Sequence, residues 1–281
     1  MLQRPGAADG QIQDILRRAA QLAEELPPLY TWGDLCDIIA QVDLARLTRH
    51  PTLEALYVES FNPLVRASHG SSEGYLRRQL GWAAPAPDED GGQHRKAYWE
   101  RDDVTNVRRN DWPYAHPKDV KHYVVWVDLP LFHPLLCSPP RSASHLSRFA
   151  PSTTTSAPGS GASTPSGPSR RNPLASHAID AALVAPTKGS WDAVSARGLG
   201  GLTGAAEKRW RARAGHGPLG KGEHEEGPER EIRAFVERRW RVEDGWETAW
   251  FANPPALQSV PGLAHFHVLA RRVSSEDGRE G

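Results

Sequence analysis

From Gln11 to Leu26 the apolar positions Ile12, Ile15, Leu16, Ala19, Leu22, Ala23 and Leu26 recur at spacings of three and four, which makes one face of a helix apolar. Pro27-Pro28 ends that helix. Thr31-Trp-Gly-Asp34 then has the form of a capping box with Thr31 as N-cap, and Leu35, Ile38, Ile39 and Val42 predict a second helix behind it. Leu53, Leu56, Tyr57, Phe61 and Leu64 predict a third, kinked or ended at Pro63, and Tyr75 to Trp82 a fourth, closed by Gly81. The N-terminal third is therefore predicted to be helical.

The period changes after Arg109. Asn110-Asp-Trp-Pro-Tyr114 reads as a rigid turn, and His122-Tyr-Val-Val-Trp-Val-Asp128 as a strand, predicted to be central because both of its faces are apolar. From Pro228 onward Ile232, Phe235, Val236 and Trp240 lie on one helical face. Gly245 to Phe251 reads as a strand, Asn253-Pro254-Pro255 as a turn and Leu263 to Arg272 as the last strand. In that strand His265, His267, Leu269 and Arg271 alternate with Phe266, Val268 and Ala270.

Between these two halves lies a stretch of different composition. More than half of the residues from Pro139 to Arg171 are Ser, Thr or Pro, and none is acidic. Such a segment cannot bury enough apolar surface to offset an ordering cost of roughly 1–2 kcal/mol per residue. The chain from there to about Gly227 lacks a sustained stripe. The predicted organisation is an N-terminal helix or extension over 1–27 and one split α+β domain made of 28–138 and 228–273. A largely disordered insertion over 139–227 divides it, and a disordered tail over 274–281 follows. Helices pack on a small, mainly antiparallel sheet.

Composition narrows the function classes. The 281 residues carry 34 basic and 34 acidic side chains, so no net field favours nucleic acid or an anionic membrane. Ten tryptophans against one methionine point to a core built from large rings. Cys36 and Cys137 are far apart with no paired spacing, as in a reduced intracellular protein. No apolar run approaches a membrane span or a signal sequence, which makes the cytoplasm the expected location, with the nucleus the other compartment open to it.

The candidate chemistry gathers around the last strand. His265 and His267 share one strand face, with Asn253 and Ser259 close before them. If the last strand pairs with His122–Asp128, the two histidines meet Asn110, Asp111 and His122 in one pocket. Trp112, Trp126 and Trp250 are expected to wall that pocket, since pockets combine apolar walls with a few convergent polar groups. There a ligand's charge is expected to meet imidazole rather than the scattered arginines. Two histidines supply too few ligands for a metal site, and no third is anchored by spacing. Neither a metal nor a cofactor is expected.

Taken together, several blocks resemble the fungal N-acetylglucosamine-induced protein family. They are Tyr30 to Ile39 with Asp43 to Arg49, Tyr75 to Trp82, Asn110-Asp-Trp-Pro-Tyr114, His122-Tyr-Val-Val-Trp126 and Ala256 to Val268. The resemblance implies a cytoplasmic protein of a domain family without an established reaction, linked by name to the response to an amino sugar. The expected function is binding of a small polar ligand, an amino sugar or nucleotide sugar, through Asn110, Asp111, Trp112, Tyr114, His122, Asn253 and Ser259. Two alternatives stand beside it. Gln258-Ser-Val260 before an alternating pair of histidines is similar to histidine-triad phosphate-ester hydrolases and transferases, with His265 and His267 as the catalytic residues. An adaptor would instead recruit protein partners through 139–227.

Overall fold

The computed structural model describes residues 6–82, 105–127, 196–215 and 228–273. Trp99, Asp128, Cys137, the tail 274–281 and all of 139–227 except 196–215 lie outside them. Helix α1 (Ala7–Glu25) forms from the first apolar stripe, and α2 (Trp32–Ala40) follows its capping box. Thr31 Oγ1 accepts from the Asp34 N–H at 3.1 Å, and the Asp34 carboxylate accepts from the Thr31 N–H at 2.8 Å. Gly81, at φ +72°, closes α5 (Ser72–Leu80) in the left-handed conformation that its lack of a Cβ permits.

The third predicted helix does not stop at Pro63. It runs as α3 (Pro51–Ala55), widens into a π-helical stretch over Leu56–Phe61 and continues as α4 (Asn62–His69). A proline inside an α-helix has no N–H to donate and crowds the carbonyl four residues back. The wider turn just before Pro63 relieves that crowding, and the helix continues.

Five strands form one sheet in the order β1-β2-β5-β4-β3, antiparallel at every pairing. They are β1 (Thr105–Arg109), β2 (Lys121–Val127), β3 (Leu199–Thr203), β4 (Trp246–Ala252) and β5 (Ala264–Arg272). Helix α6 (Gly204–Arg213) follows β3, and α7 (Pro228–Arg239) precedes β4. The α+β architecture with helices on an antiparallel sheet is the one the patterning predicts. Among the described residues no helix is long and apolar enough to cross a membrane.

Strand β2 lies inside the sheet, paired with β1 on one side and β5 on the other. Three parts of the fold depart from expectation. The polar stretch before Asn110 supplies the edge strand β1. Most consequentially, 199–213, read as part of the insertion, belongs to the domain: β3 pairs with β4, and Leu199, Leu202 and Ala206 are buried. The N-terminal helix is likewise no mere extension. Ile12, Ala19 and Leu22 pack with Tyr57, Phe61, Val65, Tyr75 and Trp112 in one cluster.

Both faces of the sheet are covered. Val125, Trp250, Phe266 and Val268 lie under Ile232 and Val236 of α7 and Trp240 just after it. On the other face Ala249, Phe251 and Leu269 lie under α2 and α6. At one end of this second face Glu247 is fully buried, and its carboxylate accepts from Arg209 and Arg271 at 2.6 Å each. Breaking such a pair from one side strands buried charge. Glu247→Ala is therefore expected to cost about 3 kcal/mol, read as a lower urea midpoint with unchanged slope. A loss no larger than that of an exposed pair, about 0–1 kcal/mol, would show that Arg209 and Arg271 rehydrate freely.

A cavity lined by histidines and tryptophans

The register of β2 against β5 assembles the site. Trp126 lies opposite His265 and Val124 opposite His267, and the alternation places His122 on the same face. The turn Asn110–Tyr114 folds back over that end of the sheet, held by the Asn110 N–H donating to the His122 carbonyl at 2.9 Å. Asn110 does two jobs. Its Oδ1 accepts from the Trp112 N–H at 3.0 Å, ordinary turn chemistry, while its Nδ2 lies 3.3–3.4 Å from the His122 ring.

These elements and helices α1 and α5 enclose a cavity of about 290 Å³. Trp112, Trp126, Tyr57 and Phe61 supply apolar wall, and Asn110, Asp111, Tyr114, Asn253, Ser259, His265 and His267 supply polar atoms. Trp250 does not contribute. It packs on the α7 face, because its strand parity is that of Val268 and opposite to that of the histidines. His122 lies behind the cavity, fully buried, and touches it only through its neighbours.

The three imidazoles are linked. His122 Nε2 lies 3.0 Å from His267 Nδ1, and the Tyr114 N–H donates to His122 Nδ1 at 3.3 Å. His265 Nδ1 lies 2.7 Å from the Leu263 carbonyl, and His267 stacks on Phe251 with ring centroids 4.8 Å apart. Burial holds His122 and His267 well below the usual histidine range, reinforced by each one's histidine neighbours and by Arg49, with Arg109 adding to the effect at His122. Burial also lowers His265, against the pull of its carbonyl partner. All three rings are neutral near pH 7. Asp111 is at the open mouth, yet the groups around it desolvate its carboxyl and raise it, with Arg108 opposing. Burial raises the Tyr114 phenol, whose oxygen accepts from Asn253 Nδ2 at 3.3 Å.

Positive charge in the cavity therefore comes from arginine, contrary to the expectation that imidazole would supply it. Arg49 donates to the Trp112 carbonyl at 3.2 Å, to Glu54 at 2.7 Å and to Ser259 Oγ at 3.4 Å, and its guanidinium lies 4.4 Å from the Tyr57 ring centroid. Arg108 lines the cavity from β1. Arg49 ends one of the blocks of the resemblance but sits in a loop, and Arg108 sits in a polar edge strand, so neither position by itself points to the cavity. Only the fold could bring them to the site. The Trp112 indole N–H, on a residue 7% exposed, is buried with no partner among the described residues. Among the described residues no group of His, Cys, Asp and Glu is placed around a common metal point.

A family model described as protein of unknown function (DUF3605) matches residues 31–134 and 216–271. Strand β3 and helix α6 fall between the two matched segments. A solved crystal structure of HTC1 is similar at 20% identity over 88% of this chain and 90% of that one, with a TM-score of 0.42, too low to add to the account of the fold. No curated protein matches.

Proposed function

We propose, for a chain that belongs to the DUF3605 family, that its role is to bind a small polar ligand in the histidine-lined cavity. What carries this reading is the mixture in one cavity: tryptophan and tyrosine walls, uncharged imidazoles, two arginines and the Asp111 carboxyl. Binding pockets pair apolar walls with a few convergent polar groups in this way. Aromatic faces suit a sugar ring or a base, and Arg49 and Arg108 suit a phosphate. The resemblance to N-acetylglucosamine-induced proteins directs the choice of compounds to amino sugars, their phosphates and nucleotide sugars. It also supports a cytoplasmic location.

Thermal-shift measurement against those three groups is the direct test. A ligand at a hundred times its dissociation constant stabilises by about 2.7 kcal/mol, which raises the melting temperature by several degrees. Because the imidazoles are neutral, affinity for an anionic member is expected to stay flat between about pH 8 and pH 6, and to fall on Arg108→Gln. Affinity rising toward pH 6 would make an imidazolium the ligand's counter-charge. No shift with any compound would remove the binding reading. Appearance of free phosphate or nucleotide during incubation would move the assignment to the hydrolase alternative.

A further inference from the structure

A neutral imidazole carries one proton, so a bond made at one ring nitrogen dictates what the other can offer. At His265 the partner of Nδ1 is the Leu263 carbonyl, which only accepts. Nδ1 must then bear the hydrogen, and Nε2 is a bare acceptor. At His122 the partner of Nδ1 is the Tyr114 backbone N–H, which only donates. The Asn110 amide does not decide between the two nitrogens, since its Nδ2 lies 3.4 Å from Nδ1 and 3.3 Å from Nε2, so the assignment rests on the Tyr114 N–H. His122 Nδ1 accepts, His122 Nε2 bears the hydrogen, and it donates across 3.0 Å to His267 Nδ1. The hydrogen of His267 is left on Nε2.

We propose that His122 is a positioning residue that sets His267 in the tautomer opposite to that of His265, so that the cavity offers a fixed donor beside a fixed acceptor. The two rings stand with centroids 5.3 Å apart at 80°, and among the described residues nothing bonds to either Nε2. The complementary ligand edge carries an acceptor next to a donor in one plane, as in a lactam or the cis-amide edge of a nucleobase. Trp112, whose buried indole N–H has no partner among the described residues, also lines this cavity. A pair of hydroxyls would not need such an arrangement, because each hydroxyl can donate or accept. This specificity rests on the binding role proposed above, whereas the tautomers themselves do not.

Long-range 1H–15N correlation spectra of the full labelled chain near neutral pH read the tautomers without any ligand, with His265→Gln and His267→Gln used only to assign signals. The expected result is a pyrrole-like Nδ1 and pyridine-like Nε2 at His265, and the reverse at both His267 and His122. His265 and His267 in the same tautomer, or either ring averaging between the two, would overturn the proposal. The ligand class is tested by titrating the same sample with 2-pyrrolidone, which has the cis-amide edge, and N-methyl-2-pyrrolidone, which lacks the donor. The lactam is expected to shift both Nε2 signals, with its methylated form at least about tenfold weaker. Equal responses, or none, would overturn the class while leaving the tautomer result standing.

Discussion

Urea midpoints fall steeply as the pH drops from about 6.5 to about 5.5, because three imidazoles are held neutral inside the fold. His122, His265 and His267 are 1%, 5% and 7% exposed, and burial lowers each of them. In the unfolded chain they charge near pH 6.5, so below that value the unfolded state binds more protons than the native one. Stability from these groups is thus complete above about pH 6.5 and is lost as pH falls through it toward the folded values. Each contributes about 1.4 kcal/mol per pH unit while the native ring stays neutral, and three approach about 4 kcal/mol per unit. His116, also lowered by burial, acts in the same direction. Asp111 acts in the opposite one, since its carboxyl is raised and gains a proton more easily in the folded state, but it does so only toward the carboxylate range. Against a total stability of about 5–15 kcal/mol the imidazole effect is large. Midpoints that stay level between about pH 7.5 and pH 5.5 would mean that the rings take up protons without unfolding. Imidazolium would then be available to a ligand after all.

Replacing 199–213 by a Gly/Ser linker of equal length abolishes the cooperative thermal transition. This segment buries Leu199 and Leu202 at 1% and 4% exposure and Ala206 at 2%. Deleting a buried leucine side chain costs about 2–5 kcal/mol, so the two leucines alone rival the whole stability. The loss extends further, for β4 would become an open edge and Glu247 would lose Arg209. The expected product has a broad transition and exposes apolar surface to a hydrophobic dye. A sharp transition within a few degrees of the intact protein would show that 199–213 is an attachment to the domain rather than part of it.

The elements with strong local signals were legible in the chain alone. The α1 stripe, the Thr31–Asp34 box, the Gly81 cap and strands β2, β4 and β5 all rest on short-range chemistry: side-chain period, capping and backbone preference. So does the fact that His265 and His267 share a face. What stayed hidden is what depends on a neighbour. Leu-Gly-Gly-Leu-Thr does not look like a strand, because glycine is poor in strands. Here a Cβ on Gly200 would sit 2.4 Å from the Ile39 carbonyl and one on Gly201 2.6 Å from the Trp250 ring, so glycine is what close packing of α2 and Trp250 requires. Thr105–Arg109 is polar because it borders the sheet, and an edge strand needs no apolar alternation. Pro63 reads as a kink or a stop, and only the π-helical turn before it decides that the helix continues.

The site divides along the same line. Histidines, the Asn110–Tyr114 turn, Asn253 and Ser259 can be named from spacing, because they lie within a few residues of a strand or turn. The protonation of those histidines cannot. A residue's charge depends on how much water its environment excludes, and the sheet with its covering helices decides that. The same is true of where Arg49 and Arg108 end up, since a loop and an edge strand do not by themselves reveal what they pack against. Residue type alone made imidazole the natural cation. Burial under α1, α5 and the turn makes it neutral and leaves the charge to arginine, whose guanidinium keeps its proton where histidine gives it up.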